Sequence, residues 1–323
     1  MWLFDEIVQR RVALCARDGL GQLRELPGPE LLGDRIEDCA LRYVLSDDVV
    51  ELAMSTLLGA TDAVAASMDL LRLPHPLLWV EWNENVKAKA IDGYIRFLES
   101  VDGRTRRVGL LIEADGDGSA GRAFVCWKIG EWLELSGVSV AFNFRHPIGF
   151  DPTTDSHLRR SITFTELTAF QPLLRHAVFV LQPEWLNYFR AALPPEKLEA
   201  AITQAMGLVA WEFPFLASLL MVQATPALAY RASNLERLNA ARERRGKPNL
   251  LEHVEVCSTI DRRFVPQTTA SGEKGGRNQA RLHFVRGHFF RRGTKIHWRT
   301  GHIRGDPRKV AVESRTMLLR TAD

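Results

Sequence analysis

Cations, imidazoles and aromatic rings alternate between residues 280 and 305, near the end of the 323-residue chain. Four of the nine histidines lie in this stretch, and a Lys or Arg recurs every few residues. Lysine and arginine side chains bind phosphate oxygens, and aromatic rings stack on nucleobases. The composition therefore indicates a surface that binds anions or nucleic acid.

The pattern predicts two β-strands joined by a tight turn at Arg292-Gly293, because β-branched and aromatic residues fill both flanks. The expected cross-strand pairs are His288 with His297, Arg286 with Arg299, His283 with His302, and Gly287 with Trp298. Side chains alternate between the two faces of a strand. One face would carry the cations and His288 and His297, with Phe284 and Phe290 among them. The other would be a core face formed by Val285, Phe289, Ile296 and Trp298.

The charged and aromatic residues of this region define a candidate nucleic-acid-binding site. Cations would contact backbone phosphates, and two phenylalanines would stack on bases. The predicted contact residues are Arg245, Lys247, Arg286, Lys295, Arg299, Arg304, Phe284 and Phe290. No helix-turn-helix pattern accompanies them, so we expect binding to the backbone of DNA or RNA rather than readout of base sequence.

The histidines allow a second, enzymatic interpretation. His288 and His297, facing each other between arginines, would serve as general acid and base in cleaving a phosphodiester. A simpler alternative is that these imidazoles only hydrogen-bond within a basic sheet. The four histidines fall on two faces in this register and cannot all ligate one ion, and no carboxylate is obviously placed to complete a site. Neither a metal nor another cofactor is predicted.

Charge is distributed very unevenly along the chain. Residues 231–323 hold 21 Lys and Arg against 9 Asp and Glu, whereas residues 1–230 hold 21 against 30. This asymmetry is typical of an acidic body (1–232) with a basic binding module (233–323). It also suits two alternatives: attraction between the two parts, or docking of the basic face on an acidic protein partner, as an inhibitor or adaptor would do.

Hydrophobic periodicity predicts a mixed body. Residues 1–73, including the apolar run 41–58, and most of 161–230 have helical character. Strands are predicted at 77–82, 107–113, 122–127, 138–144 and 251–260, the second and third forming a hairpin around a glycine-rich loop. The fold class is therefore α+β, a helix-rich mixed body with a small C-terminal antiparallel basic β unit.

The basic module has further predicted parts. Residues 234–242 have the pattern of a basic helix that ends at the following Gly and Pro. Residues 267–278 are rich in Gly, Ser and Thr and predict a mobile loop. Residues 309–319 would form a third strand or a docked tail.

Cysteine usage and hydropathy suggest where the chain resides. Its cysteines are widely separated and form no C-x-x-C pair, which is typical of a reducing compartment. The N-terminus lacks the basic and apolar regions of a signal peptide. Residues 213–230 carry no charge, but two prolines interrupt them, so they predict a buried, broken helix rather than a membrane span. The expected location is cytoplasmic.

A series of residues between 234 and 307 resembles the C-terminal pattern of a group of uncharacterised phage and prophage proteins. The matching residues are Leu238, Asn239, Arg242, Arg245-Gly246-Lys247-Pro248, Leu250, His283, Arg286-Gly287-His288, Gly293, Lys295, Trp298 and Gly305. Phe289-Phe290 departs from the pattern, in which a basic residue often follows the second histidine. The resemblance covers under a quarter of the chain. It implies a phage or bacterial cytoplasm and a mobile element as context, with no established activity.

Overall fold

The computed structural model describes residues 1–10, 15–17, 23–25, 30–89, 106–129, 132–148, 170–259, 283–285, 288–299 and 302–304. The chain divides into two compact units, Met1–Thr259 and Ile260–Asp323. The first unit contains the described helices and a large sheet, and the second contains the basic strands. The fold is α+β.

A mixed eight-stranded sheet forms the centre of the first unit. Its strands are β3 (Leu41–Leu45), β4 (Leu77–Asn83), β5 (Arg106–Asp115), β6 (Ala120–Ile129), β7 (Trp132–Asn143), β8 (Ala177–Leu181), β9 (Leu228–Ala232) and β10 (Val254–Ser258). They are ordered β8-β7-β6-β5-β4-β3-β10-β9. Strand β3 runs parallel to both β4 and β10, and the other neighbouring pairs are antiparallel. Two short strands, β1 (Cys15–Arg17) and β2 (Leu23–Glu25), form a separate antiparallel pair.

Ten α-helices are described in the first unit. They are α1 (Leu3–Arg10), α2 (Glu30–Glu37), α3 (Asp47–Gly59), α4 (Thr61–Ala65), α5 (Glu84–Lys89), α6 (Gln171–Leu174), α7 (Pro183–Ala192), α8 (Pro195–Ala210), α9 (Glu212–Gln223) and α10 (Glu236–Glu243). Helices α7 and α8 begin at a proline, whose fixed φ suits the first helical position. Helix α10 confirms the predicted basic helix.

The structure confirms the predicted strands of the body and the β5–β6 hairpin, but it corrects the helix predicted over 41–58. Residues Leu41–Leu45 form β3, and helix α3 begins only at Asp47. Four of the five β3 residues are buried, as expected of a parallel strand covered on both faces. A continuous apolar run does not distinguish such a strand from a buried helix. Strands β8 and β9 likewise lie in the region 161–230, which was predicted to be mostly helical.

Helices cover both faces of the sheet. On one face, Leu3 and Phe4 of α1 pack with Trp79, Leu111 and other buried residues of the central strands. On the opposite face, the Phe215 ring of α9 lies 4.8 Å from that of Trp82, centroid to centroid. The core therefore has two parts, separated by the sheet.

Helix α9 is deeply buried, with every residue from Glu212 to Val222 buried. Residues Pro195–Gln223, which span α8 and α9, are long and apolar enough to cross a membrane by length and composition alone. Within the fold, 83% of that apolar window is buried. This agrees with the buried helix predicted over 213–230 as far as Gln223, whereas residues 228–230 belong to β9.

The centre of the sheet is closely packed around a glycine. Gly109 of β5 lies under the Trp79 indole, and a Cβ at this position would fall 2.1 Å from Trp79 Cζ2. Trp79 is wholly buried. A glycine is therefore required here by the approach of a rigid ring, which cannot withdraw without disturbing the face on which α1 packs.

The second unit contains two antiparallel strand pairs. Strand β11 (His283–Val285) pairs with β14 (His302–Arg304), and β12 (His288–Arg292) pairs with β13 (Lys295–Arg299). The predicted hairpin is present, but its register is shifted by two positions. The observed pairs are His288 with Arg299, Phe289 with Trp298, Phe290 with His297, His283 with Arg304, and Val285 with His302.

The shift follows from the turn. Gly293 and Thr294 form it, instead of Arg292 and Gly293, and Gly293 has a φ of 62°. A two-residue hairpin turn favours glycine at a position of positive φ. Arg292 consequently belongs to the strand and pairs with Lys295.

The division between the two units falls after Thr259 rather than after residue 232. Strand β10 lies between β3 and β9 in the large sheet, so residues 233–259 belong with the body. The predicted mobile loop at 267–278 and the third strand or tail at 309–319 lie outside the described residues. The second unit, residues 260–323, holds 15 Lys and Arg against 5 Asp and Glu.

Candidate nucleic-acid interface

The end of the β12–β13 hairpin presents a compact group of cations. We call residues 291–295 the hairpin tip, and all five are exposed. The tip contains Arg291, Arg292 and Lys295. Arg291 Nε donates a hydrogen bond to the Gly293 carbonyl at 2.9 Å, which holds its side chain along the turn.

The tip carries positive charge on both faces of the ribbon. Arg292 and Lys295 occupy directly paired positions and so share one face. Arg291 is adjacent to Arg292 along the strand and therefore lies on the opposite face, paired with Ile296. Ile296 and His297, the next residues of β13, are half-buried, so exposure decreases directly after the tip on this strand.

The other predicted contact residues of the second unit are described less fully. Arg286 lies outside the described residues. For the predicted contacts Phe284, Phe290, Arg299 and Arg304, the strand position is described but the side chain is not. The same holds for His288, a proposed catalytic residue. Lys295 is thus the predicted contact residue of this unit whose exposure the structure establishes, whereas Arg291 and Arg292 were not among the predicted contacts. The signal that could have revealed those two is their position beside the only glycine between the two strands.

The two proposed catalytic histidines do not pair with each other. His288 is opposite Arg299, and His297 is opposite Phe290. His288 and His297 are therefore diagonal neighbours, about 7–8 Å apart in an ordinary antiparallel ladder rather than the roughly 5 Å of a direct pair. The direct imidazole pair on which the cleavage hypothesis relied is absent from this described hairpin.

A second basic element lies on the first unit, at the end of α10. Arg245 and Lys247, both predicted contacts, are exposed here. The chain turns at Gly246, which has a φ of 63°. Arg242 stabilises the turn through two hydrogen bonds. Its Nε donates to the Pro248 carbonyl at 2.7 Å, and its Nη2 donates to Gln9 Oε1 at 3.1 Å. Arg245 and Lys247 are consequently presented to solvent by a hydrogen-bonded turn.

A buried ionic cluster lies elsewhere in the body, between α5 and α9. Lys87 Nζ donates to Glu212 Oε1 at 2.6 Å and lies 3.2 Å from Glu84 Oε1. Trp82 Nε1 donates to Glu84 Oε2 at 2.8 Å. All three charged side chains are almost completely buried. We call Glu84, Lys87 and Glu212 the ionic cluster.

The cluster holds two acids against one base, so its protonation is strongly shifted. Burial raises the pKa of Glu212 to about 7, against the opposing effect of Lys87, and Glu84 adds to the rise. Burial opposes the charge on Lys87, but the carboxylates of Glu212 and Glu84 raise its pKa above the ordinary value. The sequence did not reveal this cluster, because Glu84 and Lys87 have the spacing of an exposed helical ion pair.

Another buried carboxylate fixes the start of the chain. Glu81 of β4 accepts hydrogen bonds from the backbone N–H of Leu3 at 2.9 Å and of Phe4 at 3.3 Å, and it forms an ion pair with Arg107. The N-terminus of a helix favours a negative charge, so this carboxylate caps α1. The Arg107 guanidinium also lies 4.5 Å from the centroid of a Trp2 ring. These contacts dock α1 on the sheet.

The two buried thiols, Cys39 and Cys126, are not activated. Burial raises the pKa of the Cys39 thiol to about 11, and burial raises the pKa of Cys126 still further, so both are protonated at neutral pH. Among the residues that the structure describes, no three His, Cys, Asp or Glu side chains are grouped so as to hold a metal ion.

Comparison of the chain with protein-family models, with curated proteins and with solved structures gives no match. A function must therefore be inferred from the chain's own residues.

Proposed function

We propose that this protein binds nucleic acid mainly through backbone phosphates, with the hairpin tip as its principal contact. The observation that carries the proposal is the tip itself, five consecutive exposed residues of which three are cations. Lysine and arginine contacts to phosphate release condensed counterions, which favours association without any readout of sequence. The excess of positive charge in residues 260–323 would attract a polyanion to the same unit.

The end of α10 is included as an additional contact region. Arg245 and Lys247 are exposed and follow a braced turn, so they supply charge in a defined place on the body. The resemblance to phage and prophage proteins supports an intracellular, mobile-element setting for such a protein. Phosphate binding needs no cofactor, and none is part of the proposal.

The test is the salt dependence of binding to labelled nucleic acid by the full-length chain. About 4 to 6 phosphate contacts predict a slope of roughly −3.6 to −5.4 for log affinity against log salt on duplex DNA. The triple variant Arg291→Gln/Arg292→Gln/Lys295→Gln should make that slope shallower by about 2 to 3, and equally so for unrelated sequences.

A matched control removes the same charge elsewhere. Arg122, Arg190 and Lys197 are exposed residues of the first unit, and changing all three to Gln lowers the net charge by an equal amount. Arg107 is unsuitable, because it pairs with the buried Glu81. An unchanged slope in the control supports the tip as the contact. Equal losses in both triple variants would show that net charge alone drives binding.

Failure to bind DNA or RNA at low salt would refute the proposal. Docking on an acidic protein would then be the better explanation of the exposed cations.

A further inference from the structure

Building on the proposed function, we propose that the β12–β13 ribbon inserts its tip into the major groove of duplex DNA. The ligand class is thus narrowed from nucleic acid in general to B-form duplex. Three properties of the hairpin support the inference: its width, its reach, and the presence of cations on both faces.

The width of the ribbon fits the major groove of DNA but is too large for the minor groove. A β-ribbon with side chains on both faces is roughly 10 Å thick, because packed sheets lie about 10 Å apart face to face. It therefore fits the major groove, about 12 Å wide, with one face towards each backbone. The minor groove, about 6 Å wide, does not admit it. Among the described residues, β12 and β13 form a two-stranded sheet without a third strand beside them.

The reach of the ribbon is sufficient. Five consecutive residue pairs join β12 to β13. At about 3.4 Å per residue the paired part is roughly 14 Å long, which exceeds the groove depth of about 8.5 Å. The tip can therefore reach the groove floor while the half-buried Ile296 and His297 remain near its mouth.

The distribution of charge favours a site between two phosphate walls. Arg291 lies on one face, and Arg292 and Lys295 lie on the other. A ribbon that lay flat on a single strand would use the cations of one face only. Inside a groove, each face is turned towards one of the two backbones, so all three cations are used.

The same geometry disfavours double-stranded RNA. The major groove of A-form RNA is deep and narrow, and its minor groove is wide and shallow. Neither shape accepts the tip between two close phosphate walls. The structure therefore predicts preference for duplex DNA over duplex RNA of the same sequence.

The experiment compares four probes with the full-length protein. They are a DNA duplex, an RNA duplex and a single DNA strand of matching sequence, and the DNA duplex in the presence of a groove ligand. We expect the DNA duplex to bind about tenfold or more tightly than the other two nucleic acids, a difference of about 1.4 kcal/mol. Methyl green, a major-groove ligand, should displace the protein, and netropsin, a minor-groove ligand, should not.

Dimethyl sulfate footprinting then locates the contact. Guanine N7 lies in the major groove, so the protein should protect it from methylation. Protection should be lost with Arg291→Gln/Arg292→Gln/Lys295→Gln and kept with Arg122→Gln/Arg190→Gln/Lys197→Gln.

The outcomes separate this inference from the proposed function. Equal affinity for all three nucleic acids, displacement by netropsin, or unprotected N7 would overturn groove insertion while leaving phosphate binding intact. Absence of binding to every probe would refute the proposed function itself.

Discussion

Lys87 Nζ lies 2.6 Å from Glu212 Oε1, although the two residues are 125 positions apart in the sequence. The contact joins α5 to α9 inside the core, where neither charge reaches solvent. Removing charges from water is costly, and this arrangement persists only because Glu84 and the Trp82 and Phe215 rings complete the surroundings of the ammonium group. The ionic cluster therefore links α5, the helix that follows β4, to the buried helix α9.

The first prediction concerns the base of this cluster. Lys87→Met leaves Glu84 and Glu212 buried without a cation, which should lower the free energy of unfolding by about 3–5 kcal/mol. Denaturant unfolding of the full-length chain measures the change. Adding Glu84→Gln and Glu212→Gln to the same chain should restore much of the loss, because no unpaired charge remains. If Lys87→Met alone were as stable as the wild type, Glu84 and Glu212 would not need the Lys87 charge beside them.

The second prediction is a pH dependence of stability. The pKa of Glu212 rises from 4.5 to about 7 on folding, so the folded state binds more protons than the unfolded state between those values. Its contribution to stability is greatest at low pH and falls as the pH rises through this window. Glu212→Gln should abolish that part of the slope, a relative change of about 2–3 kcal/mol between pH 4.5 and 7.

Thermal or denaturant unfolding of both proteins across this pH range makes the comparison. Glu196→Gln, at an exposed site of α8, is the matched control and should leave the wild-type slope unchanged. If the stability of wild type and of Glu212→Gln changed with pH in parallel, the pH dependence would not come from Glu212.

The third prediction tests the capping of α1. Glu81→Gln removes the charge that accepts two backbone N–H groups and pairs with Arg107, and should cost about 2–4 kcal/mol. Glu113→Gln is the matched control, since Glu113 pairs with Arg35 near the surface and should cost less than about 1 kcal/mol. Hydrogen exchange of the α1 amides should accelerate in the first variant only. Unchanged exchange there would exclude Glu81 as the cap.

The fourth prediction concerns the packing beneath Trp79. Gly109→Ala brings a methyl group against the indole and should destabilise the body by about 1–3 kcal/mol. Gly33 lies in α2, and a methyl group added there would meet no atom within 4 Å, so Gly33→Ala should instead stabilise by up to about 1 kcal/mol. Opposite shifts in melting temperature are expected, and shifts of the same sign would contradict the packing argument.

The fifth prediction separates binding from cleavage. Because His288 and His297 are diagonal rather than directly paired, we expect His288→Gln/His297→Gln to keep DNA affinity within about threefold, less than 1 kcal/mol. We also expect the wild type to leave an end-labelled duplex intact. Cleavage by the wild type that disappears in the double variant would establish the enzymatic alternative.

Local signals in the sequence predicted those parts of the fold that depend on near neighbours. The β5–β6 hairpin was recognisable because a glycine-rich loop lies between two β-rich runs, and α10 was recognisable from the Gly and Pro that follow it. Strand β3 was not, since its apolar run leads within one residue into α3. Its identity as a strand depends on β10, more than 200 positions away.

In the candidate site too, some features follow from local sequence and others depend on contacts between distant residues. The basic hairpin was predicted from composition, but its register depends on which two residues form the turn, and local sequence alone placed that turn one residue too early. Glu212 carried no local sign of its role, because its partners Glu84 and Lys87 meet it only in the folded core.

The position of β10 has a consequence for the synthesis of the chain. A nascent chain that ends before Val254 exposes the open edge of β3 and leaves β9 without its neighbour, so the body cannot close until nearly the whole first unit has left the ribosome. An open, apolar strand edge is a template for pairing with other chains. Expression of residues 1–232 alone should therefore yield aggregates, whereas residues 1–259 include all eight described strands of the sheet.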